Sequence, residues 1–419
     1  MIADALTRTV AAPCAPDTDL APVDAILDAA RRHLGMEIAF AARYVAGRRE
    51  FTHIRTELPL PHRPGFSEPN EETYCWHILE GRLPELIQDA ADHPLALALP
   101  VTAALPVGCH MDVPLRLKDG TLYGSFCCLS RTADRSLTAR DLAALRAFAD
   151  LAAVQIEREI VTERDRDASV SRVRGALETG QPVVALQPVV RLDDGAPVGA
   201  EALARFPDAD MRPPCAWFAE AAAHGLGEEL ELAAVRSALA ALAYVPAPLY
   251  LGVNVSPAVA TAPALRRLLS AAPPGRVLLE VTEHDAVVDY RALHRALASL
   301  RGHVRIAVDD VGAGYAGLRH ILDLRPDVLK LDIGLTRNVD RDPARRALIA
   351  AMVRFAADIG AGVVAEGVER EGERRTLATL GVSHGQGWLF GRAMPPVAAA
   401  QLLLGRAAQA PARARRRAA

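Results

Sequence analysis

Glu201, Asn254, Glu280, Asp309, Asp310, Lys330 and Glu366 each fall at or near the end of a short apolar run, in "VGAEALARF", "LYLGVNV", "VLLEVTE", "VRIAVDD", "DVLKLD" and "AGVVAEG". Glu283, Asp332, Glu369 and Gln386 stand in similar late positions. With a period of two, Glu201, Leu203 and Arg205 share one face of their run. If such runs deliver their ends to a single face, Glu201, Glu280, Asp309, Asp310 and Glu366 enter one pocket, offset by Lys330 and Arg205. Two like charges about 4 Å apart repel by roughly 4 kcal/mol at an effective dielectric near 20. The cluster therefore calls for cations, and divalent metal is the economical source. Carboxylates with an amide oxygen, and no histidine or cysteine in the set, suit Mg²⁺ or Mn²⁺ rather than zinc. Adjacent Asp309 and Asp310 could serve two ions, the arrangement that activates water and stabilises the leaving oxygen in phosphodiester cleavage. Arg205 would hold a phosphate by its fork. Lys330 is one of only two lysines among 48 basic residues, which argues for a role. Taken singly, each acid could equally cap the helix that follows its strand.

The elements that must position these groups begin at residue 183. Apolar runs "VVALQPVV", "VGAEALARF", "LYLGVNV", "VLLEVTE", "VRIAVDD", "DVLKLD", "AGVVAEG" and "GQGWLF" alternate mostly with amphipathic helical stretches. That texture predicts a (β/α)8 barrel, whose parallel strands present their C-terminal ends at one face. A doubly wound open sheet is the alternative, and no phosphate-binding glycine motif follows the first run to support it. In "DDVGAGYAGL", Gly312 and Gly314 permit close ligand approach or simply a tight turn. Upstream, "DVPLRLKDGTLYGSFCCLS" alternates about an Asp119-Gly120 turn and predicts a hairpin. A helix opens at Thr138 and Asp141 and stays helix-compatible to Gly180, either as a signalling joint and dimer seam or as an exposed connector. The expected organisation is a disordered segment 1–20, an α+β domain 21–157, a helical linker 158–181, an α/β barrel domain 182–405 and a basic disordered tail 406–419.

Composition bounds the rest. A 419-residue chain that is 51% hydrophobic and 24% charged, with net charge -3, reads as globular, without a specific nucleic-acid surface. Six cysteines show no paired metal-ligand spacing and are too sparse for a disulfide framework. The N-terminus lacks a basic region followed by an apolar core, and Pro100 and Pro106 break the most apolar stretch. A cytoplasmic protein without membrane insertion is expected.

From residue 183 to about 404 the chain resembles the EAL domain family of bacterial cyclic-di-GMP phosphodiesterases. The resemblance is carried by "LQP", "EALAR", "NVS", "EVTE", "DDVGAGY", "LKLD", "AEGVE" and "GQGWLF", in the family's order. It implies that Glu201, Asn254, Glu280 and Asp309 bind a first metal, with Asp309 shared with or close to a second held by Asp310. Lys330 and Glu366 would orient or deprotonate the attacking water, with Gln386 positioning the Glu366 region. Gln187 and Arg205 would contact the dinucleotide, with Leu203, Asp332 and Glu369 in the same substrate-facing set. Glu283 would brace the loop beginning at Asp310. Two ions, Mg²⁺ or Mn²⁺, and hydrolysis of cyclic-di-GMP to linear pGpG are implied. A domain that binds cyclic-di-GMP without cleaving it, signalling through the linker helix, is the alternative. Val311 replaces the usual phenylalanine, Ala316-Gly317 a serine pair and Leu186 a frequent tyrosine, departures that loosen the regulatory loop but remove no metal ligand. Residues 21–157 resemble a GAF domain in "TYCWHILEGRLPELIQDA" and "VPLRLKDGTLYGSFCCLS", which implies a sensor of undetermined ligand in a homodimer. There Cys75, His77, His93 and His110 are read as packed or surface residues rather than chromophore or haem attachments.

Overall fold

A computed structural model describes residues 21–59, 62–207, 211–282, 289–312 and 317–409. The chain divides into two units, Met1–Asp165 and Arg166–Ala419.

The first unit is built on one antiparallel sheet. Its strands are β1 (Ile38–Val45), β2 (Arg48–Thr56), β3 (Ser67–Pro69), β4 (Leu86–Ile87), β5 (Cys109–Arg116) and β6 (Leu122–Ser130), in the order β3-β2-β1-β6-β5-β4. The expected hairpin is β5 and β6, turned at Asp119 and Gly120, with the glycine at φ 83 as its left-handed residue. One sheet face packs Ala39, Met111, Val113, Leu115 and Phe126 against Val23 and Leu27 of helix Pro22–His33 and Leu145, Ala152 and Ile156 of the long helix. The other face buries Phe40, Phe51, Cys75 and Cys127. Helix Ala139–Glu178 is continuous over 40 residues.

The second unit contains a closed eight-stranded barrel. Its strands are β7 (Val183–Arg191), β8 (Pro197–Arg205), β9 (Tyr250–Val255), β10 (Val277–Val281), β11 (Arg305–Val311), β12 (Val328–Leu331), β13 (Gly362–Ala365) and β14 (His384–Gln386). Strands β8 to β14 run parallel to one another. Strand β7 is reversed, antiparallel to both β8 and β14. This departs from the all-parallel barrel expected, and the connection explains it. Only Leu192, Asp193, Asp194, Gly195 and Ala196 separate β7 from β8, too few for the helical crossover a parallel pair requires. Gly195 at φ 70 closes the turn, and Arg191 pairs with Asp194 across it.

Period-two pleating sorts the barrel residues into shells. One set, including Leu251, Val253, Leu279, Ile306, Val308, Leu329 and Leu331, packs under the surrounding helices. The alternate set forms a plug of Val189, Tyr250, Leu278, Ala307, Val328 and Val364 inside the barrel. Continuing two residues along the same faces leads from Leu278 to Glu280, from Ala307 to Asp309, from Val328 to Lys330 and from Val364 to Glu366. The polar layer is thus the next step of the interior pattern, seated on a dry floor.

Candidate active site

The cation Lys330 occupies the centre of this polar layer, 2% exposed. Its Nζ lies 2.6 Å from Glu280 Oε2, 2.7 Å from Glu366 Oε1, 3.0 Å from Asp309 Oδ1 and 3.5 Å from Glu201 Oε2. Three strands, β8, β10 and β11, and the segment after β13 therefore converge on the ammonium that β12 carries. Burial alone would strip its proton, but Asp309, Glu201, Glu280 and Glu366 outweigh that and hold it charged well above the ordinary lysine range. Removing one partner of such a buried set leaves an uncompensated charge, at a cost of about 3–5 kcal/mol.

The carboxylates outnumber the ammonium, and their proton affinities record it. Burial, reinforced by Glu201 and Asp309, pushes Glu280 well above the carboxylate range despite Lys330. Burial likewise pushes Glu366 up to about 8, again against Lys330. Glu201 is oriented by two amides: Asn254 Nδ2 donates to Oε1 at 2.7 Å, and Gln386 Nε2 donates to Oε2 at 2.6 Å. Gln386 Nε2 also reaches Gln187 Oε1 at 3.0 Å, while Gln187 Nε2 donates to Gly391 O at 3.1 Å. The reversed β7 makes this link, because it pairs Gln187 directly with Glu201.

Two carboxylate triads arise. Glu201, Glu280 and Asp309 offer oxygens within 4.8 Å of one another, and so do Asp309, Asp310 and Glu366. Asp309 belongs to both. The donor set is all oxygen, excess negative charge remains after Lys330, and Gln386 Oε1 is buried without a hydrogen-bond partner among the described residues. These residues fit hard divalent ions. Asp310 adopts φ 54, a left-handed backbone uncommon outside glycine, and its N–H donates to Asp309 Oδ1 at 3.0 Å. The turn that presents both aspartates is thereby fixed. Val311 is buried and paired with Leu331 of β12, so its smaller side chain is absorbed into the core.

A cavity of about 370 Å³ opens over the triads, lined among others by Gln187, Leu203, Glu369 and Trp388. Arg205 lies elsewhere. It is exposed, donates Nη1 to Ala204 O at 2.7 Å, and lines an adjoining cavity of about 280 Å³ with Asn254, Leu203 forming part of both walls. Asp332 is not gathered in either. Its carboxylate caps the short helix Ile333–Thr336 by accepting from Gly334 N at 2.7 Å. Glu369 pairs with Arg337 at 3.3 Å on the cavity rim. Glu283, Gly314 and Ala316 lie outside the described residues.

Two contributors escape a reading of charges. Gly252, in "LYLGVNV", is where an added Cβ would overlap Glu280 Oε1, so the absent side chain makes room for that carboxylate. Trp388, in "GQGWLF", is 56% exposed and stacks under Arg392, whose guanidinium carbon is 4.0 Å from the ring centroid. A glycine inside a strand was the available signal for the first; an exposed tryptophan has none in sequence.

A family model, the EAL domain, matches residues 170–393. The chain belongs to the EAL family. A second model, the GAF domain, matches residues 21–156, so the first unit is a GAF domain preceding the EAL barrel. The chain is 33% identical over 239 residues to the cyclic di-GMP phosphodiesterase RocR of Pseudomonas aeruginosa, covering 54% of this chain and 61% of that protein. It is 31% identical to the probable cyclic di-GMP phosphodiesterase PdeB of Escherichia coli, covering 54% and 45%. An uncharacterized signaling protein of Caulobacter vibrioides is 32% identical over 306 residues, covering 70% and 36%. The chain thus spans between about a third and three-fifths of these relatives' lengths. Among solved structures, the EAL enzyme Bd1971 in its cAMP- and cyclic-di-GMP-bound form superposes with a TM-score of 0.53 at 19% identity, covering 67% of this chain and 82% of that one. The Xanthomonas citri FimX EAL domain, in complex with c-diGMP, superposes at 0.50 with 22% identity, covering 56% and 96%. At these identities the likeness is one of fold. Among the described residues no helix is long and apolar enough to cross a membrane.

Proposed function

We propose that this EAL protein hydrolyses one phosphodiester bond of cyclic-di-GMP, opening it to linear pGpG. The observation that carries the reading is the pair of carboxylate triads sharing Asp309, with Lys330 among them. Similarity to relatives named as cyclic di-GMP phosphodiesterases supports the substrate. Glu201, Asn254, Glu280 and Asp309 would hold one Mg²⁺ or Mn²⁺ ion, and Asp309, Asp310 and Glu366 the other. When bound, such a pair supplies an activated water and a clamp on the leaving oxygen.

The protein's own groups do the positioning. Lys330, charged and 2.7 Å from Glu366, fixes that carboxylate so that both can orient the attacking water and Glu366 can take its proton. Gln386 and Gln187 hold Glu201 from the far side, which keeps its oxygens aimed inward. Leu203 and Trp388 offer an apolar wall and an exposed ring against which a purine can stack. Arg205, in the adjoining cavity, serves the phosphate that is not cleaved. Asp332 acts through the backbone it caps, and Glu369 through the rim. Regulation by the GAF domain, a cytoplasmic location and a homodimer complete the reading, with Leu151 and Val161 exposed on the long helix to support the last.

The test is purified full-length chain incubated with cyclic-di-GMP and either Mg²⁺ or Mn²⁺, with products separated by chromatography. Formation of pGpG is expected. Retained binding with no pGpG under either metal would instead make the barrel a non-catalytic effector.

A further inference from the structure

Inside the GAF unit a second cluster of ligand-type side chains converges from three separate elements. Cys75 comes from helix Tyr74–Leu79, His110 from β5 and Cys127 from β6. The two sulfurs and a ring nitrogen of His110 all lie within 4.8 Å of one another, with Sγ to Sγ at 3.0 Å. Asp112 sits two residues beyond His110, on the same face of β5, with Oδ1 3.0 Å from Cys127 Sγ. All four are buried, Asp112 being the most exposed at 2%.

Ordinary packing does not account for this group. Two buried thiols alone would behave as small hydrophobes, but Asp112 is a carboxylate that accepts from the Cys127 thiol and, at 3.4 Å, from the Ser125 hydroxyl. His110 Nδ1 is buried with no hydrogen-bond partner among the described residues. Arg49, itself buried, donates Nη1 to Cys75 Sγ at 2.9 Å and pairs with Glu68.

We propose that Cys75, Cys127, His110 and Asp112 form a binding site for a thiophilic divalent cation of the zinc class. Two sulfurs, one imidazole and one carboxylate make a four-coordinate set that zinc accepts, and the soft donors disfavour Mg²⁺ and Mn²⁺. On binding, each thiol S–H breaks heterolytically, its proton leaves to solvent and its electron pair goes to the metal. Two thiolates and the Asp112 and Glu68 carboxylates then face one dication and the Arg49 guanidinium. At a zinc to sulfur distance of about 2.3 Å, tetrahedral geometry would part the sulfurs to about 3.8 Å. Arg49, Tyr74 and His110 also line a cavity of about 30 Å³, room for about one water beside the cluster. The site is a structural or sensing one, distinct in donor type from the barrel triads.

The test uses the reduced full-length chain, stripped with chelator and reloaded with Co²⁺. One equivalent giving thiolate-to-cobalt charge transfer and tetrahedral d–d absorption, displaced by Zn²⁺, is expected. The bands should persist in Asp309→Asn and Cys215→Ser and vanish in Cys127→Ser. Absence of charge transfer, its survival in Cys127→Ser, or a Cys75–Cys127 disulfide in protein kept under reductant would overturn the site. Should Cys127→Ser fail to fold, alkylation of the wild-type chain in mild denaturant decides. Zinc is expected to protect Cys75 and Cys127 but not Cys109 or Cys128; equal labelling of all four with and without zinc would contradict the proposal.

Discussion

At the barrel mouth four carboxylates crowd one ammonium; in the GAF unit two thiols, an imidazole and one carboxylate gather beside one guanidinium. Both clusters place a long-chain cation against groups that cannot be buried charged on their own. They differ in donor and in access. The barrel cluster is all hard oxygen, triads sharing Asp309, beneath a cavity of about 370 Å³. The GAF cluster is sulfur-rich and adjoins about 30 Å³. The barrel cluster has far more room beside it than the GAF cluster. The shared device is a buried cation, Lys330 among the carboxylates and Arg49 beside Cys75 and Glu68.

Four substitutions sharpen that contrast. Asp309→Asn removes the carboxylate common to both triads, and we expect the rate of cyclic-di-GMP hydrolysis to fall by about 10³-fold or more, with the GAF cobalt spectrum unmoved. Loss of that spectrum as well would mean the two clusters are not independent. Leu278→Ala hollows the plug beneath Glu280 and should cost about 2–5 kcal/mol in denaturant unfolding of the barrel. Gly252→Ala forces Glu280 aside without replacing a ligand, so manganese affinity should weaken by about 10–100-fold while the fold survives, as titration with circular dichroism would show. The smallest effect belongs to Glu371, held down to about 2 by hydrogen bonds from Arg374 and Arg375 at the start of a helix. A depressed carboxylate contributes stability present above its unfolded value and lost as pH falls toward 2. Glu371→Gln should therefore lower Tm slightly at pH 7 and leave it unchanged near pH 2.

Much of this was legible in the chain. The apolar runs from residue 183 became barrel strands, and their late polar residues entered one layer because pleating carries each run's inward face from plug to mouth. The direction of β7 was not, since alternation is blind to strand sense; only the five-residue connection to β8 carried that information. Charge type alone also could not separate Arg205 and Asp332 from the central cluster, because one side chain turns back to its own strand end and the other is spent on a helix cap. Cys75 and Cys127 stand 52 residues apart on different elements, so no spacing motif announces them. They meet because helix Tyr74–Leu79 lies over the sheet face that β1 and β6 share.

If Asp309 serves both triads as proposed, two hard ions would sit close together, and manganese titration read by electron paramagnetic resonance would detect it. Two equivalents of Mn²⁺ per chain with spin coupling between them are expected, falling to one uncoupled ion in Asp310→Ala. A single uncoupled ion in the wild-type chain, or a coupled pair that survives Asp310→Ala, would contradict it.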